Sequence, residues 1–245
     1  MINNSNNLNQ HGTISPESTS PVLAVELSNP SASSSAHCVA IFSSSDQGAQ
    51  LVSSLEMPQG VRSSDGIMAS IEKLCKDVGV VPSDIGRILV SIGPGGYTAL
   101  RISTTTAKVL ACALDCELVG IPSASVAARS ISESHRPALI GLASKNTHIH
   151  ATVLNEDGSL CTLGMRDVDV LDDFKVRSIH ADGHLPDPFK QRADELEIEL
   201  LPIVLDARMM LSASEGVELV EPSVIEPLYA REPDAVTQWR ARKPK

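Results

Sequence analysis

Aromatic residues are scarce in this 245-residue chain, where one Trp, two Tyr and three Phe make up 2% of the positions. Large rings ordinarily supply much of a core, so Val, Ile, Leu and Ala must fill this one. Hydrophobic residues still reach 42%, an ordinary share for a folded domain. Long apolar runs are missing as well. None approaches the ~20 residues that cross a bilayer, which argues against a membrane-spanning helix. Basic residues are in short supply: 20 Lys and Arg stand against 30 Asp and Glu, for a net charge of −10. A chain that grips nucleic acid by itself usually shows a basic face. Here the basic cluster is the closing WRARKPK, which reads as a solvated tail. Cysteines stand at 38, 75, 112, 116 and 161, an odd number without a CxxC pair. That spacing makes a poor disulfide frame and a poor zinc frame, and fits buried thiols in a reducing cytoplasm. The opening MINNSNNLNQHGTISPESTS lacks the basic start and apolar centre of a signal peptide and reads as a disordered polar tail.

What is present is an alternation of periods. PVLAVELS (21–28), HCVAIFS (37–43) and LVSSLEM (51–57) read as three strands of an antiparallel meander. Apolar residues then recur at three and four through Ile67, Met68, Ile71, Leu74, Cys75 and Val78, a helical stripe over 65–78. RILVSI (87–92) is a continuous apolar strand, 98–114 a helix, ELVGI (117–121) a strand and 123–131 a short helix. Apolar strands alternating with helices mark a sheet covered by helices. From Pro137 the pattern restarts. ALIGLAS and THIHATVLNEDGSLCTL read as strands with a hairpin at Asp157-Gly158, and GMRDVDVL (164–171) as another. A loop follows at 181–190, then a helix at 190–201, a short strand in LPIVL and a short helix from Asp206 to Ser214. The chain divides into a tail (1–20), a first lobe (21–136), a smaller second lobe (137–235) and a basic tail (236–245).

The turn Gly93-Pro94-Gly95-Gly96 joins a strand to a helix, where phosphates often bind. No GxxxxGK[ST] loop occurs, and Thr98 stands where GxGxxG needs its third glycine. Generic possibilities remain: close backbone approach at the glycines, an anion at the helix start, and Thr98 as N-cap. Arg101 lies in the first helical turn, where a cation meets the dipole unfavourably. Its partner could be Glu26, Asp65, an external anion or plain solvent. His148 and His150 share one face of a strand and read as a surface pair rather than metal ligands. Ser63-Ser64-Asp65 reads as a cap, Asp194 to Glu199 as a wet helix face, and no Ser–His arrangement suited to hydrolysis is evident. The helix 98–114 carries apolar or small residues almost all round, with Arg101 and Lys108 as its charges. Such a helix needs cover on two sides.

GPGGYTALRISTTTAKVLA resembles the GPGSFTGLRIG-x-x-x-AKGLA segment of the bacterial TsaB (YeaZ) family. PVLAVELS is similar to that family's opening LAIDTS strand, ELVGIPSASVAA to PLVGVSSLEALA, and VIEPLYAREPDAV to its closing P-x-YLR-x-P segment. The resemblance covers roughly 21–235, with 137–215 matched by pattern alone. It implies an α/β protein of the actin-like ATPase-domain (ASKHA, RNase H-like) fold, with two lobes, each a mixed sheet covered by helices. It also implies a non-catalytic scaffold in the cytoplasm, paired with a TsaD-type catalytic subunit and helped by a TsaE-type ATPase. That assembly makes N6-threonylcarbamoyladenosine in tRNA. ATP and metal are then expected on the partner, with no cofactor or metal here, tRNA reached through the complex, and a homodimer possible alone. The partner-binding residues it implies are Ile67, Met68, Ile71 and Leu74 of the first helix with Leu100, Thr104, Ala107, Lys108 and Ala111 of the second. Gly93, Gly95, Gly96, Thr98, Arg101 and Glu26 make an anion site or a structural turn. The family's Asp is Glu26 here and its next Thr is Leu27, its HSE is Ser63-Ser64-Asp65, and its DAR is Ser144-Lys145-Asn146. The enzyme alternative is a small ATP-dependent kinase or ATPase of the same superfamily.

Overall fold

The computed structural model describes residues 20–29, 37–45, 48–56, 63–219, 221–231, 236, 239 and 240. The first sheet holds β1 (Val22–Val25), β2 (His37–Ser45), β3 (Gly48–Glu56), β4 (Arg87–Gly93) and β5 (Glu117–Pro122) in the order β3-β2-β1-β4-β5. The first three strands pair antiparallel, while β4 and β5 add in parallel, Val25 opposite Val90 and Leu89 opposite Val119. Parallel strands need crossovers, and α1 (Ser63–Val78) and α2 (Tyr97–Leu114) supply them. The second sheet holds β6 (Ala138–Lys145), β7 (His148–Leu154), β8 (Leu160–Arg166), β9 (Ser178–Ala181) and β10 (Glu199–Pro202). Its order is β8-β7-β6-β9-β10, the first sheet's topology repeated with β6 in the place of β1.

Each central strand is apolar on both faces because both are covered. On β1, Leu23 and Val25 meet Ile67, Ile71, Leu74, Ala107 and Ala111 of the two helices. Val22 and Ala24 point the other way, into a core shared with α3 (Ser123–Ala128), β6 and the chain beyond β10. There Val126, Ala127, Ile140, Leu142, Ile203, Leu205 and Met210 fill the space with small aliphatic groups. A third core, around Ile149, Val153, Ile179 and Phe189, lies beneath α4 (Val170–Asp173) and α5 (Asp187–Glu195).

The chain changes sheets at 129–137 and later returns. Residues 203–213, ending in α6 (Met210–Ala213), enter the shared core, and Ile225 joins the core beneath α1 and α2. The Leu228 amide donates to the Ile92 carbonyl at 2.7 Å. Expectations for the second lobe need three corrections. In 164–171 the residues up to Arg166 belong to β8 and α4 begins at Val170. The helix expected at 190–201 runs from Asp187 to Glu195, ends at Leu196 and a left-handed Glu197, and gives way to β10. The strand β9 was not foreseen. Both four-residue strands are too short for a period, and their neighbours in the sheet define them: Ile140 lies opposite His180, which lies opposite Leu201.

Candidate functional site

The glycine turn between β4 and α2 is used by the chain's own backbone. Gly96 caps α2, and its amide donates to the Ser28 carbonyl at 2.7 Å. A Cβ on Gly95 would stand 2.0 Å from that same oxygen. Gly93 holds φ at +106°, and a Cβ there would stand 2.7 Å from the Leu228 carbonyl. The glycines are therefore required for the approach of two other segments. A phosphate at Gly96 would compete with Ser28 for the same N–H, so the turn does not fit one. Thr98 is not the cap: it is an exposed residue inside the first turn.

Glu26 follows β1 and is buried at 4% exposure. Its Oε1 accepts from the Ser28 amide at 2.7 Å and the Ser28 hydroxyl at 2.6 Å, while its buried Oε2 has no hydrogen-bond partner. Asp206, 1% exposed, stands on the returning segment, gripped by Arg208 at 2.9 and 2.6 Å. Burial pushes the Glu26 carboxyl above its ordinary range and the Asp206 charge adds to this, against the pull of the Ser28 bonds. A raised folded pKa means that stability is fully present below the unfolded value and lost as pH climbs toward the folded one. Glu26→Gln removes the charge, so its stability relative to the parent should rise as pH climbs above 4.5 toward the folded pKa in urea titrations. A pH-independent difference would show that Glu26 does not titrate in this window.

Arg101 does not pair with Glu26. It is exposed, and its guanidinium lies 5.6 Å from the centre of the Tyr97 ring. Tyr97 in turn stacks on Tyr229, with centroids 4.7 Å apart and planes tilted by 31°. The side chain of Asp65 lies outside the described residues, as do those of Ser63 and Ser64, and the basic tail is outside apart from Trp239 and Arg240.

The helix faces differ most from expectation. Ile67, Ile71, Leu74, Leu100, Thr104, Ala107 and Ala111 are all 5% exposed or less and sit inside the chain's own first lobe, so none is free to meet a partner. They form the stripe that faces the sheet, and apolar spacing alone cannot tell a stripe that meets its own sheet from one that meets a stranger. Lys108 is committed to the returning segment, donating to the Ser223 and Ile225 carbonyls at 2.9 and 3.0 Å. Of the nine expected residues only Met68 remains well exposed, at 50%. The outward face of α2 instead presents Thr98, Arg101, Thr105, Val109, Cys112 and Ala113, with Val109 at 61%. The phase was available in the sequence: these positions lie opposite Leu100, Thr104, Ala107 and Ala111 on a 3.6-residue wheel.

Other clusters are modest. His148 is exposed and bonded to Thr147, and His150 is half-buried, with burial lowering its pKa. Among the described residues no group of three or more His, Cys, Asp or Glu is placed to hold a metal. A cavity of about 260 Å³ near the 129–137 crossover is lined by His135, His180, Ser132 and aliphatic residues including Ile131 and Ile203. Burial and then His135 drive the His180 pKa down to about 4. Ser132 Oγ, His135 and Glu199 form a string at 2.8 and 3.4 Å that the sequence did not disclose. All five thiols are free, and burial pushes Cys38 up to about 11.

Comparison with known proteins places this arrangement. The profile of the family described as "TsaD: tRNA N6-adenosine threonylcarbamoyltransferase" matches residues 61–162, from α1 into β8. A Bacillus subtilis (strain 168) protein, "tRNA threonylcarbamoyladenosine biosynthesis protein TsaB", is 39% identical over 56 residues. Over that segment the chain is similar to a TsaB protein. The match to the TsaB of B. subtilis covers 23% of this chain and spans 24% of that relative's length. The solved YeaZ of Pseudomonas aeruginosa overlays 86% of this chain and 99% of its own at a TM-score of 0.59 and 16% identity. A second structure, titled as an uncharacterized protein with similarity to peptidase YEAZ from the same organism, covers 86% and 100% at 0.61 and 18% identity. The YeaZ overlays and the paired five-stranded sheets show the two-lobed actin-like, RNase H-like fold. No helix among the described residues is long and apolar enough to cross a membrane.

Proposed function

We propose that this chain is a non-catalytic scaffold of the system that forms N6-threonylcarbamoyladenosine in tRNA, paired in the cytoplasm with a TsaD-type subunit. ATP and metal belong to the partner, a TsaE-type ATPase assists, and tRNA is met through the complex. Without its partner the chain forms a homodimer through the same helices. The observation that carries the reading is the outward face of α2, where Val109 stands 61% exposed in mid-helix among Thr105, Cys112 and Ala113. Small side chains allow close approach, and Val109 with Cys112 and Ala113 beside it gives this face an apolar spot for a partner helix to cover. The family likeness supplies the identity of the partner. Val109→Glu should weaken pairing with a TsaD-type protein about 30-fold or more, the scale of an interface hot spot, without changing the melting temperature. Gel filtration and titration calorimetry read both. Wild-type proteins that elute apart at micromolar concentration would sink the proposal.

A second reading, a small ATP-dependent kinase or ATPase, draws on the unpartnered Glu26 Oε2 near Asp206. The glycine turn filled by Ser28 counts against it. Titration with Mg-ATP decides: heat with a defined stoichiometry favours the enzyme.

A further inference from the structure

We infer that Arg101, braced by Tyr97 and Tyr229, is the charged anchor of the pairing surface and receives a carboxylate from the TsaD-type partner. The inference rests on the pairing proposed above and adds its chemistry. The chain has only two tyrosines, and both stand at this one spot on the surface, 42% and 41% exposed, stacked on each other. One belongs to α2 and the other to the returning segment, whose Leu228 amide is bonded to Ile92, so the pair is held from both sides. Arg101 lies over the Tyr97 ring, which orders a side chain that would otherwise lose rotamer entropy on binding. Among the described residues no carboxylate pairs with Arg101. Its position in the first turn of α2 is electrostatically unfavourable by itself, and the Tyr97 ring is the compensation found for it among the described residues. On the helix wheel Arg101 is contiguous with Thr105, Cys112 and Val109, the exposed face already described.

A preordered Tyr–Tyr–Arg group beside an apolar patch has hot-spot composition, and an unmatched guanidinium calls for a planar acidic partner. Two other occupants fit less well. Of the two rings, Tyr97 is already engaged by Arg101 and Tyr229, and a net charge of −10 repels the phosphates of a nucleic acid. In the homodimer proposed above, a two-fold axis passing through this spot would set Arg101 against Arg101, so a second copy is a weaker occupant of it than the partner.

The experiment measures dissociation constants between the full chain and a TsaD-type protein at low and high salt. Arg101→Ala should weaken binding about tenfold and Arg101→Glu about 100-fold, with Arg101→Lys between the parent and the alanine variant. The parent's affinity should fall with salt while that of Arg101→Ala changes little. Because Arg101 is exposed, the variants should melt with the parent. Wild-type pairing with unchanged affinity in Arg101→Glu overturns this inference and leaves the proposed function standing. Absence of wild-type pairing overturns both. Arg101→Glu that pairs normally but retains less tRNA on a filter would assign the contact to nucleic acid, and would also overturn it.

Discussion

Gly95→Ala should cost about 3 kcal/mol or more of folding stability, the largest loss expected from adding one methyl group to this chain. The added Cβ would sit 2.0 Å from the Ser28 carbonyl oxygen and 2.8 Å from its carbon. Both are backbone, so no side chain can rotate away. Relief requires the turn to withdraw from Ser28, which breaks the 2.7 Å bond from the Gly96 amide and disturbs the two Ser28 bonds that hold Glu26. With a typical total of 5–15 kcal/mol, such a loss leaves a marginal fold. Urea unfolding followed by circular dichroism measures it. Gly183→Ala is the control: nothing lies within 4 Å of its Cβ position, and it should change stability by less than about 0.5 kcal/mol. Equal behaviour of the two variants would show that the turn is looser than its contacts imply.

Leu100→Ala should destabilise the folded chain by about 2–5 kcal/mol, the usual cost of emptying a fully buried leucine site. Leu100 is 0% exposed, and its Cδ1 stands 2.8 Å from where a Cβ on Gly93 would be, so it packs directly under the turn. The same change separates two accounts of α2. A residue reserved for a partner would weaken pairing and leave the monomer intact. A core residue lowers the melting temperature of the monomer first, and any pairing defect follows from unfolding. Val109→Ala, at 61% exposure, should do the reverse. A Leu100→Ala monomer that melts with the parent would return Leu100 to the interface.

Much of the first lobe was legible because its elements are long and periodic. α1 and α2 carry between four and five turns, and Ile88, Leu89 and Val90 run together in β4, so Leu89 and Val90 could be assigned to a covered sheet. The second lobe was less legible where elements are short. Ser178–Ala181 and Glu199–Pro202 have too few residues for a period, and become strands through their pairing with each other and with β6. At the site the residues of interest were found, but their partners were not. Glu26 was one of four candidate partners for Arg101, beside Asp65, an external anion and solvent; it bonds to Ser28, two residues away, and Arg101 meets a tyrosine 128 positions later through the ring of Tyr97.

By itself the sequence determined the long strands and helices of the first lobe, a restart of the pattern at Pro137, a glycine turn that fits no nucleotide loop, and a family likeness carried by GPGGYTALRISTTTAKVLA. Those features depend on local periodicity and on glycine's conformational freedom, which single segments encode. Only the tertiary structure decided which face of each helix is covered. It put Leu100, Thr104 and Ala107 against the first sheet, tied Lys108 to the carbonyls of Ser223 and Ile225, and brought Tyr229 to Tyr97. The physical reason is that burial belongs to a pair of surfaces. An apolar stripe states that something must cover it, and the covering segment is chosen by where the rest of the chain returns.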